Sequence, residues 1–149
     1  MSAQKADIPF SVARRKVMQT KILVADDQPG LRFLLSEALS GQGYEVITIE
    51  SREHIFEVLE KEQPALILMD RHMPGEEFFA WLADPHTEKW HHKTILLSGA
   101  VRPEEKQILE KQGLRVMFKP FDLFELLRLV ETVLDESSKK PEVAANQPE

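Results

Sequence analysis

Several short apolar runs in this sequence end in side chains that can do chemistry together. Lys21-Ile22-Leu23-Val24-Ala25 ends at Asp26-Asp27, Ala65-Leu66-Ile67-Leu68-Met69 at Asp70, Thr94-Ile95-Leu96-Leu97 at Ser98, and the run from Arg115 to Phe118 at Lys119. Neighbouring ionised carboxylates repel by ~4 kcal/mol for charges ~4 Å apart at an effective dielectric of ~20. A hard divalent cation removes that conflict. Oxygen-only ligands with room for water suit Mg²⁺, which shares itself readily with phosphate oxygens. Lys119 adds a point charge and a donor for the same phosphate, and Ser98 a hydroxyl. An aspartate flanked by a metal and a lysine can attack a phosphoryl donor and become an aspartyl-phosphate. Metal and lysine then offset charge on the transferring group, while in-line positioning does most of the rest.

The elements that must position these residues alternate in type. After the first apolar run, Pro29 sits where a first helical turn accepts it, and Leu31, Leu34, Leu35, Ala38 and Leu39 repeat with helical spacing up to Gly41 and Gly43. Tyr44 to Ile49 reads as a second strand. Ser51 is a candidate N-cap for a helix that buries Ile55, Val58 and Leu59. The run 65–69 is apolar throughout, as expected where helices cover both faces of a sheet. A loop, Arg71-His72-Met73-Pro74-Gly75, leads to a short helix carrying Phe78, Phe79, Trp81 and Leu82. Pro103 opens a helix running to about Lys111. Asp122 and Glu125 have capping-box spacing before a final helix with Leu123, Leu126, Leu127, Val130 and Leu134 as its buried stripe.

Five strand–helix pairs with connections too long for hairpins predict a parallel, right-handed α/β sheet. In such open sheets the ligand site lies at the carboxyl ends of the strands. That rule places Asp26, Asp27, Asp70, Ser98 and Lys119 at one end of the domain.

The segments ILVADDQPGLRFLL at 22–35, ALILMDRHMPG at 65–75, ILLSGA at 95–100 and KPFDLFELL at 119–127, taken in order and spacing, resemble the receiver domain of two-component response regulators. The resemblance covers about residues 20–136 and is closest in kind to stand-alone, chemotaxis-regulator-like receivers. It implies a flavodoxin-like (βα)5 doubly wound sheet of strand order 2-1-3-4-5, and Asp70 as phosphoacceptor. Asp27 is implied as a direct Mg²⁺ ligand, Asp26 as one acting mostly through water, and Asp70 and the backbone carbonyl of His72 as further ligands. Ser98 takes the switch-hydroxyl position, Lys119 contacts the phosphoryl group, and the bond before Pro120 is expected to be cis. The implied partners are a histidine kinase or phosphotransfer protein as donor and a downstream protein on the face of the fourth helix, fifth strand and fifth helix.

The chain departs from the family pattern in three places. Glu76-Glu77-Phe78-Phe79 stands where the family often has a glycine. Val116 occupies a position commonly held by Tyr, Phe or His, whose ring rotates inward on activation. His72, two residues after the phosphoacceptor, is bulky and titratable; residues there border the path of the water that hydrolyses the aspartyl-phosphate, so His72 is expected to lengthen the phosphorylated state.

Composition narrows the remaining classes. The 149 residues suit one domain with short extensions, and 19 basic against 25 acidic residues leave a formal charge of −6. That balance disfavours direct binding of nucleic acid or an anionic membrane. With no cysteine, disulfides, thiolate catalysis and Cys-based metal sites are excluded. No run approaches the ~18 apolar residues of a membrane span, and no secretory signal is visible, so a cytoplasmic location is expected. Residues 1–20 read as a basic arm carrying Arg14, Arg15 and Lys16, residues 21–136 as the domain, and 137–149 as a polar tail. Nothing after Glu136 reads as a DNA-binding or catalytic output domain. His86, His91 and His92 lie in a polar segment without ligand spacing and read as loop, Trp81 and Trp90 as packing residues, and His54 as an exposed helix position.

The expected function is a stand-alone, phosphorylation-dependent switch that is not an enzyme acting on an external substrate. A phosphohydrolase with an aspartate nucleophile is disfavoured because its key Asp typically follows the first strand and a cap domain is added. A degenerate receiver acting only as an interaction module, and a receiver fragment of a larger regulator, are the alternatives.

Overall fold

Strands and helices alternate along the chain in the order that the apolar spacing predicts. The computed structural model describes residues 20–139; residues 1–19 of the basic arm and the last ten residues of the tail lie outside them. The strands are β1 (Lys21–Ala25), β2 (Glu45–Ile49), β3 (Leu66–Asp70), β4 (Thr94–Ser98) and β5 (Arg115–Phe118). Between and after them come α1 (Pro29–Gly41), α2 (Ile55–Glu62), α3 (Phe78–Ala83), α4 (Pro103–Lys111) and α5 (Leu123–Lys139), with a 3₁₀ helix over Pro85–Lys93. All pairings are parallel, and the sheet order is β2-β1-β3-β4-β5. This is the flavodoxin-like topology implied by the resemblance.

Side chains alternate across each strand, so the sheet divides the core in two. Leu23, Ala25, Ile67, Met69 and Leu96 pack against Ile55 and Leu59 of α2, Phe78, Trp81 and Leu82 of α3, and Leu109 of α4. Ile22, Val24, Leu66, Leu68, Ile95 and Leu97 face the other way, onto Leu35 and Leu39 of α1 and Leu126, Val130 and Val133 of α5. Every residue of β3 and β4 is buried. That double cover is the reason these strands read as unbroken apolar runs rather than alternating ones.

Three local expectations change. Ser51 does not cap α2, which starts four residues later at Ile55 with no side-chain cap. The Ser51 hydroxyl instead accepts a hydrogen bond from the Glu53 amide at 2.9 Å. The segment around His86, His91 and His92 is no loop. Asp84 accepts from the His86 amide at 2.8 Å and Pro85 follows at the first helical position, a start signal that organises a 3₁₀ helix. Its apolar side buries Trp90 and His91 beside Trp81. Finally, α5 continues through Lys139, into the segment expected to be tail.

Candidate functional site

Register alone brings the carboxylates together. Ala25 of β1 pairs with Met69 of β3, so the next residues, Asp26 and Asp70, lie side by side where the strand order reverses. Carboxylate oxygens of Asp26, Asp27 and Asp70 lie within 4.8 Å of one another, and among the described residues this is the one such group of His, Asp and Glu side chains. Asp26 and Asp70 are buried while Asp27 is exposed. The site is therefore a shallow acidic depression with one open side.

Lys119 follows β5, two strands away from β3, and reaches across. Its Nζ lies 3.3 Å from Asp70 Oδ2 and 3.8 Å from Asp26 Oδ2. It also donates to Gln28 Oε1 at 3.0 Å. Gln28 escaped the reading of the sequence, where it appeared only as the residue after the acidic pair. Its position two residues past Asp26 is the signal: the Gln28 amide donates to Asp26 Oδ1 at 2.8 Å while its side chain steadies the lysine. The peptide between Lys119 and Pro120 is cis.

Asp70 Oδ1 accepts from the His72 amide at 3.1 Å, so the loop after β3 orients the carboxylate. The His72 side chain is exposed and borders two grooves, one shared with Asp27 and Phe78, the other with Gly99, Ala100 and Phe118. Ser98 is buried at the end of β4, and its hydroxyl is turned to its own loop: it donates to the Ala100 carbonyl at 3.0 Å and accepts from the Ala100 amide at 3.3 Å. The sheet thus places Ser98 beside the site, with its hydroxyl engaged elsewhere.

Burial and hydrogen bonding act on the Asp26 carboxyl in opposite directions. Burial pushes the Asp26 carboxyl above the usual aspartate range, opposed by the Gln28 amide; the charge of Asp70 raises it further and that of Lys119 lowers it. Asp26 Oδ2 is buried with no hydrogen-bond partner. A buried carboxylate oxygen without a hydrogen bond, close to two more carboxylates and with Lys119 no nearer than 3.8 Å, fits a cation, and an all-oxygen donor set fits a hard one such as Mg²⁺. Asp26, Asp27 and Asp70 could hold it.

Residues 22–131 match the family described as the response regulator receiver domain. The chain belongs to that family. Among curated relatives, the receiver domain is 29% identical over 119 residues to sporulation initiation phosphotransferase F of Bacillus subtilis, covering 79% of this chain and 96% of that protein. It is 31% identical over 125 residues to the DNA-binding transcriptional regulator NtrC of a Bradyrhizobium strain, covering 80% of this chain but 25% of that protein. Among solved structures, chemotaxis protein CheY4 of Vibrio cholerae superposes with a TM-score of 0.67 at 26% identity, covering 77% of this chain and 98% of that one. Receiver domains are signalling modules of two-component response regulators rather than classical enzymes. No helix among the described residues of this receiver is long and apolar enough to cross a membrane.

Val116, at the position where the family commonly has an aromatic ring, packs half-buried against the core that contains Phe78, Trp81 and Leu96. Its side chain is part of the core and carries no ring to swing. Phe118, two residues on, is 41% exposed and stands at the rim of the groove beside His72.

Proposed function

We propose that this receiver domain accepts a phosphoryl group on Asp70 from a phosphohistidine of a histidine kinase or phosphotransfer protein, and passes the signal on by protein contact. A carboxylate oxygen of Asp70 forms the new O–P bond as the P–N bond of the donor breaks, its electron pair returning to the imidazole. The reading is carried by one observation: three carboxylates converge within 4.8 Å and Lys119 Nζ stands 3.3 Å from Asp70 Oδ2. Mg²⁺ held by Asp26, Asp27, Asp70 and the His72 carbonyl would neutralise charge on the transferring group. Lys119 offers its ammonium to a phosphoryl oxygen, with Gln28 keeping it in place. The His72 amide, already on Asp70 Oδ1, holds the carboxylate so that Oδ2 is the oxygen beside the lysine.

Phosphorylation replaces a carboxylate by a dianion with strong acceptor oxygens. Ser98 then exchanges its bond to Ala100 for one to the phosphoryl group, and that exchange shifts the β4–α4 loop. The face built from α4, β5 and α5 is the output surface. Ile108, Phe118 and Phe124 are 53%, 41% and 74% exposed there, which suits an apolar protein partner. The negative net charge supports protein rather than nucleic acid as that partner.

The test is labelling by a small acyl-phosphate donor with Mg²⁺, read by intact mass. The wild-type chain gains one phosphoryl group and Asp70→Asn gains none. Stoichiometric labelling of Asp70→Asn would refute the assignment, and an unlabelled wild type would favour a degenerate receiver that only binds partners.

A further inference from the structure

Arg52 is a charged residue in an unremarkable polar segment between β2 and α2, yet its side chain is only 2% exposed. Burying a guanidinium is costly unless its donors are satisfied. Here they go to main-chain carbonyls at both ends of the loop that follows the phosphoacceptor. Nη1 donates to the Asp70 carbonyl at 2.9 Å, Nη2 to the Arg71 carbonyl at 2.9 Å, and Nε to the Glu76 carbonyl at 2.7 Å. The Arg52 amide donates to the Pro74 carbonyl at 2.8 Å. The guanidinium carbon lies 5.7 Å from the centroid of the Phe78 ring, at the start of α3.

The loop is seated equally closely from its own side. Gly75 has φ of +96°, and a Cβ there would stand 2.5 Å from the Glu53 amide nitrogen and 2.8 Å from that of Arg52. Residues 70, 71, 74 and 76 are therefore all tied to the segment around Arg52, Gly75 is packed directly against it, and the stretch spanned by the ties at 71 and 74 is His72 and Met73. His72 is the residue whose amide orients the Asp70 carboxylate.

We propose that Arg52 is a positioning residue for phosphoryl acceptance: by bracing both ends of loop 70–76, it sets the His72 amide and carbonyl relative to the Asp70 carboxylate. The inference rests on the reading of Asp70 as phosphoacceptor and of the His72 carbonyl as a metal ligand. A planar fork is needed for this task, because the acceptors lie on two sides of the guanidinium and belong to separate stretches of backbone. Lysine carries the charge but cannot span them.

The test compares Arg52→Met and Arg52→Lys with the wild-type chain. Mg²⁺ affinity is read from amide NMR shifts around Asp27, Asp70 and His72, and labelling rates are measured across Mg²⁺ concentrations. In Arg52→Met the His72 amide resonance moves before any Mg²⁺ is added, and the Mg²⁺ dissociation constant rises about 10-fold or more, the range seen when partners behind metal ligands are lost. Saturating Mg²⁺ restores most of the labelling rate, which a general loss of folding would not allow. Arg52→Lys shows the same split with a smaller shift, and supplies the comparison should Arg52→Met not fold. Wild-type Mg²⁺ affinity with an unmoved His72 amide in a folded variant would overturn the inference. Failure of the wild-type chain to be labelled would instead overturn the phosphoacceptor reading, while the amide shift still reports on Arg52.

Discussion

Arg71 and Glu105 face each other across the groove beside Asp70, joined by two parallel hydrogen bonds of 2.8 Å each. Arg71 directly follows Asp70, and Glu105 lies in the first turn of α4. The pair therefore ties the loop after β3 to the first turn of α4. The Arg71 guanidinium also lies over Phe79, 5.0 Å from the ring centroid, which limits its freedom to leave. With Val116 in place of a mobile aromatic ring, this bridge is the direct polar link between loop 70–76 and α4 among the described residues.

The Arg71–Glu105 bridge makes stability depend on pH in a defined direction. The Arg71 hydrogen bonds hold the Glu105 carboxyl below the usual glutamate range. A carboxyl lowered by folding contributes stability above its unfolded value of ~4.3 and loses it as pH falls through the folded value. Urea unfolding of Glu105→Gln should show a loss of about 1 kcal/mol at neutral pH. That difference should vanish at acid pH. A difference that persists there would mean the bridge acts through packing rather than charge.

Asp26 has the opposite sign. Burial raises its carboxyl above the unfolded value, so ionised Asp26 opposes folding and the penalty grows as pH rises through the folded value. Without Mg²⁺, Asp26→Asn should be more stable than wild type at neutral pH by about 1 kcal/mol. Adding Mg²⁺ should raise the melting temperature of the wild-type chain and leave the variant nearly unmoved. Equal Mg²⁺ stabilisation of both would remove Asp26 from the cation site.

Gly75 should tolerate no side chain. Its φ of +96° and the 2.5 Å approach to the Glu53 nitrogen leave neither conformational nor physical space for a Cβ. Gly75→Ala is expected to cost about 2 kcal/mol, a drop of roughly 4–8 °C in melting temperature for a domain of this size. A thermal scan showing no change would mean the loop can leave the Ser51–Glu53 segment freely.

His72 is expected to slow loss of the phosphoryl group. Its exposed side chain lies two residues after Asp70 and borders the grooves on both sides of that loop. After removal of the donor, phosphorylated His72→Asn should lose phosphate several-fold faster than wild type. Equal decay rates would reduce His72 to its backbone roles.

Much of this was legible in the one-dimensional sequence. Apolar runs of strand length ending in Asp, Ser or Lys marked the elements, because a sheet covered on both faces leaves no polar position inside β3 or β4. The rule that parallel strands present ligands at their carboxyl ends then gathered Asp26, Asp27, Asp70 and Lys119, and the register of β1 on β3 places the first and third side by side. The 3₁₀ helix was less legible, since its buried Trp90 and His91 sit among polar residues whose period is neither that of an α-helix nor of a strand.

Tertiary structure alone decided the contacts between segments far apart in the chain. Gln28 meets Lys119 across 91 positions, and Arg71 meets Glu105 across 34. Arg52 gave no local sign at all: its partners are backbone carbonyls, which every residue carries and no sequence distinguishes. Side-chain type and spacing determined which groups share the end of the sheet. Only the folded chain determined which backbone atoms hold them still, because those bonds depend on how loops from different strands are laid against one another.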